Sequence, residues 1–145
     1  MLLGAFQFVE RFRRTKTHAR LGRFLVPAAL IAALSGLHMT LFYPRAPLDG
    51  NLIFVARLFT SVAMLTFVVV AVFALFQRDY RKHGDFMMRA YALTMGAGTQ
   101  VLTNVPLVLV EGWHTEKSRG IAMAGAWVIN MLVVEWVIAK RPSKS

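Results

Sequence analysis

The chain has 145 residues, of which 57% are hydrophobic and 17% are charged, and its formal net charge is +10. Soluble domains carry about 25% charged residues, so this composition, with a mean hydropathy of +0.52, excludes a disordered chain and is typical of a membrane protein. The absence of cysteine excludes disulfides, a thiolate nucleophile and cysteine-ligated metal centres.

Residues 1–17 form the first segment and admit two interpretations. Apolar side chains up to Phe12, followed by basic ones, suit a short amphipathic helix at the membrane interface. Alternatively, the first eight residues are the remnant of an upstream span. We do not expect a cleaved signal peptide, because the basic residues follow the apolar stretch instead of preceding it.

Four apolar segments then dominate the chain. Their only acidic, basic or histidine side chains are His38 and Glu135. Each segment has about 20 residues, the length that a helix needs to cross a hydrocarbon core of about 30 Å. The sequence therefore predicts an all-α bundle of four transmembrane helices in a single membrane domain, residues 1–145. The predicted helices span about 19–43, 52–77, 85–110 and 119–140.

The basic residues are distributed unequally over the predicted bundle. Short connections make successive helices antiparallel, and the 17 Lys and Arg then divide thirteen to four between its two ends. The positive-inside rule predicts that the richer end, with both termini, is cytoplasmic in a bacterial inner membrane. Anionic lipid at that face accounts for the net charge, so nucleic acid is not an expected partner.

Three short stretches resemble a bacterial family of predicted membrane proteins, domain of unknown function 2306. They are Leu-Leu-Gly-Ala-Phe-Gln-Phe at 2–8, Thr-His-Ala-Arg-Leu-Gly-Arg at 17–23, and the run from His83 to Thr94 with Met87, Arg89 and Tyr91. The resemblance extends over about residues 2–106. It implies a polytopic membrane fold, and it implies no particular activity because the family has none assigned.

A weaker resemblance, over residues 18–37, is to a helix of the cytochrome b561 group, whose members hold two b-type haems by pairs of histidines. The predicted topology sorts the four histidines into two pairs, His18 with His83 at one end and His38 with His114 at the other. These are candidate haem ligands. Interfacial histidines without a ligand are the simpler interpretation. Only His38 is expected to point into the bundle, and no metal site is predicted.

Charged residues within the helices predict ion pairs. Glu135 is the only acid inside an apolar segment, and a Glu135–Arg89 pair between neighbouring antiparallel helices is the simplest interpretation. A proton-relay role for Glu135 is the alternative. Asp85 is four residues before Arg89 and could pair with it. Arg57 could extend to the interface, meet Glu111 or contact lipid head groups.

Small and polar residues on the last two helices predict a close contact between them. Gly96, Gly98 and Thr99 on one helix could face Gly120, Ala124 and Gly125 on the other. No motif of a serine hydrolase, zinc protease or nucleotide-binding loop occurs in the sequence. A non-catalytic accessory or scaffold subunit of a larger membrane complex, respiratory or photosynthetic, is therefore the favoured hypothesis. A b561-like electron-transfer protein and a small proton-linked transporter are the alternatives.

Overall fold

A computed structural model of the chain describes residues 16–113 and 115–141. They form four helices, α1 (Lys16–Phe42), α2 (Asn51–Phe76), α3 (Tyr80–Leu109) and α4 (Glu116–Ala139). All four are long and apolar enough to cross a membrane, which confirms the predicted four-helix fold. The predicted interfacial segment lies, over residues 1–15, outside the described residues.

Helices α3 and α4 begin before the apolar segments do, because polar caps determine where they start. The side chain of Asp79 accepts a hydrogen bond from the Lys82 N–H (2.9 Å), so α3 begins at Tyr80 rather than near residue 85. Thr115 and Ser118 form a capping box at the start of α4. Hydropathy marks only the apolar part of each helix, whereas its capping residue marks the true end.

The bundle is centred on α2, which packs against each of the other three helices, and the most extensive helix contact is between α3 and α4. The core joins Ala33 of α1, Met64 of α2 and Leu93 of α3. Five of the nine other buried hydrophobic side chains among the described residues are alanines. Such small residues let helix backbones approach closely, which is how transmembrane helices pack without a hydrophobic driving force.

Helix α1 lies at the edge of this bundle. Its substantial contacts are with α2, and of residues 17–42 only Ala33 is buried. Phe24 and Ile31 are 77% and 67% exposed on its outward side. The fold thus combines a closely packed group, α2 to α4, with one peripheral helix.

Candidate functional site

Arg89 on α3 and Glu135 on α4 form a two-pronged ion pair. Arg89 Nε donates to Glu135 Oε1 (2.5 Å) and Nη2 donates to Oε2 (2.9 Å). The Arg89 guanidinium also lies 5.0 Å from the centre of the Phe86 ring, within range of a cation–π contact. The structure therefore brings together the two charges that the sequence paired.

A second bridge joins α3 to the end of α4 near the first. Arg141 Nη1 donates to Asp85 Oδ1 at 2.7 Å. The expected pairing of Asp85 with Arg89 along α3 is wrong, because Glu135 holds the Arg89 guanidinium in the fork geometry that favours carboxylates. Two charge pairs thus fasten α3 to α4 at this end, which we call the Arg89 end.

The opposite end of the bundle contains a buried carboxylate that the sequence analysis missed. Asp49, in the loop between α1 and α2, has a side chain only 3% exposed, and Arg57 Nη1 donates to its Oδ2 at 2.6 Å. Arg119 Nη2 lies 3.1 Å from Oδ1, within ion-pair distance but outside hydrogen-bonding geometry. Arg57 therefore pairs with Asp49 and not with Glu111. We call this the Asp49 end.

The loop conformation explains how Asp49 becomes buried. Leu48 adopts a left-handed backbone conformation with φ of 64°, which is costly for a residue with a side chain. The Asp49 N–H then donates to the Ala46 carbonyl (3.0 Å) and closes a tight turn. An acid in a loop with two prolines is expected to be solvated, and the partners that indicate otherwise are Arg57, eight residues later, and Arg119, which is distant in sequence.

The histidines occupy different environments. The His83 ring is partly buried, and its Nδ1 lies 2.8 Å from the Ala71 carbonyl oxygen of α2. His38 is exposed, with its ring centre 4.9 Å from that of Phe42, so the expectation that it points into the bundle is wrong. His18 is half-buried near the start of α1, and His114 lies outside the described residues. Within residues 16–113 and 115–141 no three metal-ligating side chains cluster.

The α3–α4 contact uses the small and polar residues that the sequence indicated, although not all of them. The Asn130 amide donates to the Thr99 hydroxyl at 2.8 Å. The Trp127 ring lies directly on Gly96, where an added Cβ would collide with Cδ1 of the ring, whereas Gly98 has open space around it. Gly120 instead faces Leu52 of α2. These contacts fix α4 on α3 without forming a recognisable reaction centre.

An open cleft lies between α1 and α4 over the surface of α2, at the Asp49 end. It has a volume of about 500 Å³, within the range of small-molecule sites. The side chains that line it include Thr40 from α1, Arg57 and Ser61 from α2, Trp127 from α4 and Asp49 from the loop. Its walls thus combine one charged end with hydroxyl and aromatic groups further inside.

Four membrane-length helices with ion pairs at both ends of the bundle define a small polytopic membrane protein. A family model described as a predicted membrane protein, DUF2306, matches residues 1–138, and the chain belongs to that family. No curated protein and no solved structure gives a significant match, and the weaker resemblance to the cytochrome b561 group finds no support in these comparisons.

Proposed function

We propose that the protein is a non-catalytic accessory subunit that docks on a larger membrane complex through the outward face of α1. The observation that supports this is the peripheral position of α1. Only Ala33 is buried within residues 17–42, whereas α2 and α3 have five and six buried residues. A helix that contributes so little to its own bundle has most of its surface available for another protein.

The outward face of α1 has the composition of a helix-packing surface. Ala28, Ala32 and Ser35 are exposed, and their spacing places them on one side of the helix, away from Ala33. The large apolar side chains of Phe24 and Ile31 are exposed next to these small residues. A neighbouring transmembrane helix could lie closely against the small residues.

The test uses one tryptophan substitution and a matched control. Ala32→Trp should obstruct helix packing on α1, and Ala97→Trp adds the same ring at an exposed alanine of α3. We expect the native protein, extracted from its own host in mild detergent, to migrate as an assembly well above its 16.3 kDa mass. Ala32→Trp should release the 16.3 kDa species, and Ala97→Trp should not. A wild-type protein already at the smaller size would refute the proposal, as would equal release by both variants.

A second candidate is the b561-like electron-transfer protein, and one observation favours it. A carbonyl oxygen only accepts hydrogen bonds, so His83 Nδ1 carries the hydrogen toward Ala71 and Nε2 remains available to a metal. Ligating histidines are commonly oriented in this way, and a bound haem would supply reversible one-electron transfer. The exposed His38, beside Phe42, fits the same role less well.

An absorption spectrum of protein purified from haem-supplemented cells separates the two candidates. The haem candidate requires a Soret band and a reduced α-band that disappear in His83→Ala and persist in a control variant, Tyr80→Ala. A spectrum without a Soret band eliminates it. The proton-linked transporter is the third candidate, but the ion pair of Glu135 with Arg89 occupies both carboxylate oxygens and supports a structural role better.

A further inference from the structure

The exposed charge in the cleft at the Asp49 end is positive, because the Arg57 side chain that lines it is partly exposed whereas that of Asp49 is buried. Arg57 and Arg119 share the single carboxylate of Asp49, and Arg45 donates to the neutral amide of Asn51. Glu116, whose side chain lies against Gly50, and the exposed Glu111 are the other acids at this end of the described chain, and Lys117 is its fourth cation. Four cations therefore meet three carboxylates at this end, and about one positive charge remains.

Arg57 is the cation best placed to present that charge to the cleft. Its Nη1 is bonded to Asp49, which fixes the direction of the side chain, and the side chain is 36% exposed. Of the described residues, only Asp49 accepts a hydrogen bond from it. The remaining N–H groups of the guanidinium can therefore donate to an acceptor in the cleft, and phosphate oxygens match that planar geometry.

The cleft extends from this charged end toward the middle of the bundle. Ser61 lies about 15 Å along α2 from its start at Asn51, and Trp127 lies at a similar distance from the start of α4. Gly36 of α1 approaches Ser61 closely, because a Cβ added to it would lie 3.5 Å from the Ser61 hydroxyl oxygen, and both residues line the cleft. The cleft thus presents a cationic mouth, hydroxyl groups below it and an aromatic ring at membrane depth.

We propose that this cleft binds an anionic phospholipid, whose headgroup has a net negative charge, with the phosphate on Arg57 and the start of an acyl chain against Trp127. The positive charge of Arg57 favours a negatively charged headgroup. Because the cleft extends to Trp127 at membrane depth, it favours a molecule with an apolar chain over a soluble ion. The site uses the α2–α4 surface of the cleft and does not require docking on the outward face of α1. One arginine at a membrane surface favours an anionic lipid about fivefold.

The experiment measures quenching of Trp127 by lipids brominated on their acyl chains. Trp113→Phe and Trp136→Phe leave Trp127 as the only tryptophan of the chain. The protein is reconstituted in phosphatidylcholine vesicles containing a small, equal fraction of either brominated phosphatidylglycerol or brominated phosphatidylcholine. We expect brominated phosphatidylglycerol to occupy the site about fivefold more effectively than brominated phosphatidylcholine. Equal quenching by the two lipids would overturn the proposal.

Three variants test whether the preference for phosphatidylglycerol arises in the cleft. Arg57→Gln should abolish the preference, whereas Lys117→Gln removes an exposed charge at the same end and should preserve it. Thr60→Phe should fill the cleft and abolish the preference while retaining Arg57, so the test does not depend on the folding of Arg57→Gln. A preference that survives Arg57→Gln and Thr60→Phe, or that Lys117→Gln abolishes equally, would refute the site.

A soluble competitor distinguishes a lipid from a free phosphate ester. Glycerol 3-phosphate carries the same charged group without acyl chains. We expect millimolar glycerol 3-phosphate to leave the quenching of Trp127 unchanged, because the membrane-depth part of the cleft contributes to binding. Displacement of the brominated lipid by this competitor would assign the site to a soluble phosphate compound and overturn the lipid proposal.

Discussion

Replacing either Arg89 or Glu135 by leucine should weaken the contact between α3 and α4, and replacing both should restore much of it. Each single variant leaves one charge without its partner inside the bundle. The double variant Arg89→Leu/Glu135→Leu leaves no charge and two side chains that can pack. Breaking a pair is therefore costly, whereas exchanging the whole pair for apolar residues is close to neutral.

The expected magnitude follows from the position of the pair. An isolated charge at the centre of a membrane helix costs about 2.5–3.5 kcal/mol of insertion free energy. Glu135 lies only one turn before the end of α4 at Ala139, and its side chain is 48% exposed. Because partial solvation screens the charge, we reduce that cost by about half and expect a loss of about 1–2 kcal/mol from each single variant.

The assay is reversible unfolding in mixed micelles, followed by tryptophan fluorescence as sodium dodecyl sulfate is added. We expect the double variant to recover at least half of the summed loss of the two single variants. Lys82→Leu serves as the control, because it removes an exposed charge from α3 and should change the unfolding free energy by less than about 0.5 kcal/mol. Additive losses, with no recovery in the double variant, would mean that the pair does not stabilise the bundle.

Two further predictions concern packing and orientation. Gly96→Ala should lower the unfolding free energy by about 1–3 kcal/mol, because its Cβ would collide with the Trp127 ring. Gly98→Ala, at a position with open space around it, is the control and should change the unfolding free energy little. Equal effects of the two variants in the same assay would contradict this packing. A cysteine in place of Glu111 should react with an impermeant thiol reagent added outside intact cells, and one in place of Gln77 should not, since positive-inside orientation places only the former outside. The reverse labelling pattern would invert the topology.

The four helices and the Arg89–Glu135 ion pair could be predicted from the sequence, because each depends on how deep its residues lie in the membrane. An uncharged run of about 20 residues has few alternatives to a spanning helix. Once neighbouring helices are antiparallel, depth alone brings Arg89 close to Glu135. The helix starts were less accessible, since the polar first turns of α3 and α4 continue beyond the apolar runs and depend on Asp79 and Thr115.

The ion pairs of Asp49 could not be predicted from the sequence in this way. Its carboxylate comes from a loop, and Arg119 belongs to a helix that lies far along the chain. Spacing along one helix could not reveal this, and the nearest acid by simple depth, Glu111, was the wrong partner for Arg57. The burial of Asp49 depends on the left-handed backbone at Leu48, which a sequence pattern favours at glycine or asparagine rather than at leucine.

The order in which the charges occur along the chain constrains how the protein enters the bilayer. Asp49 and Arg57 belong to the first hairpin, so they can neutralise each other as soon as α2 has been synthesised. Arg89 enters with α3, but Glu135 and Arg119 arrive only with α4. Insertion of the last helix is therefore the step that neutralises Arg89. A nascent chain arrested before α4 would hold Arg89 without Glu135 and Asp85 without Arg141, so neither charge on α3 would yet have the partner that it has in the finished bundle.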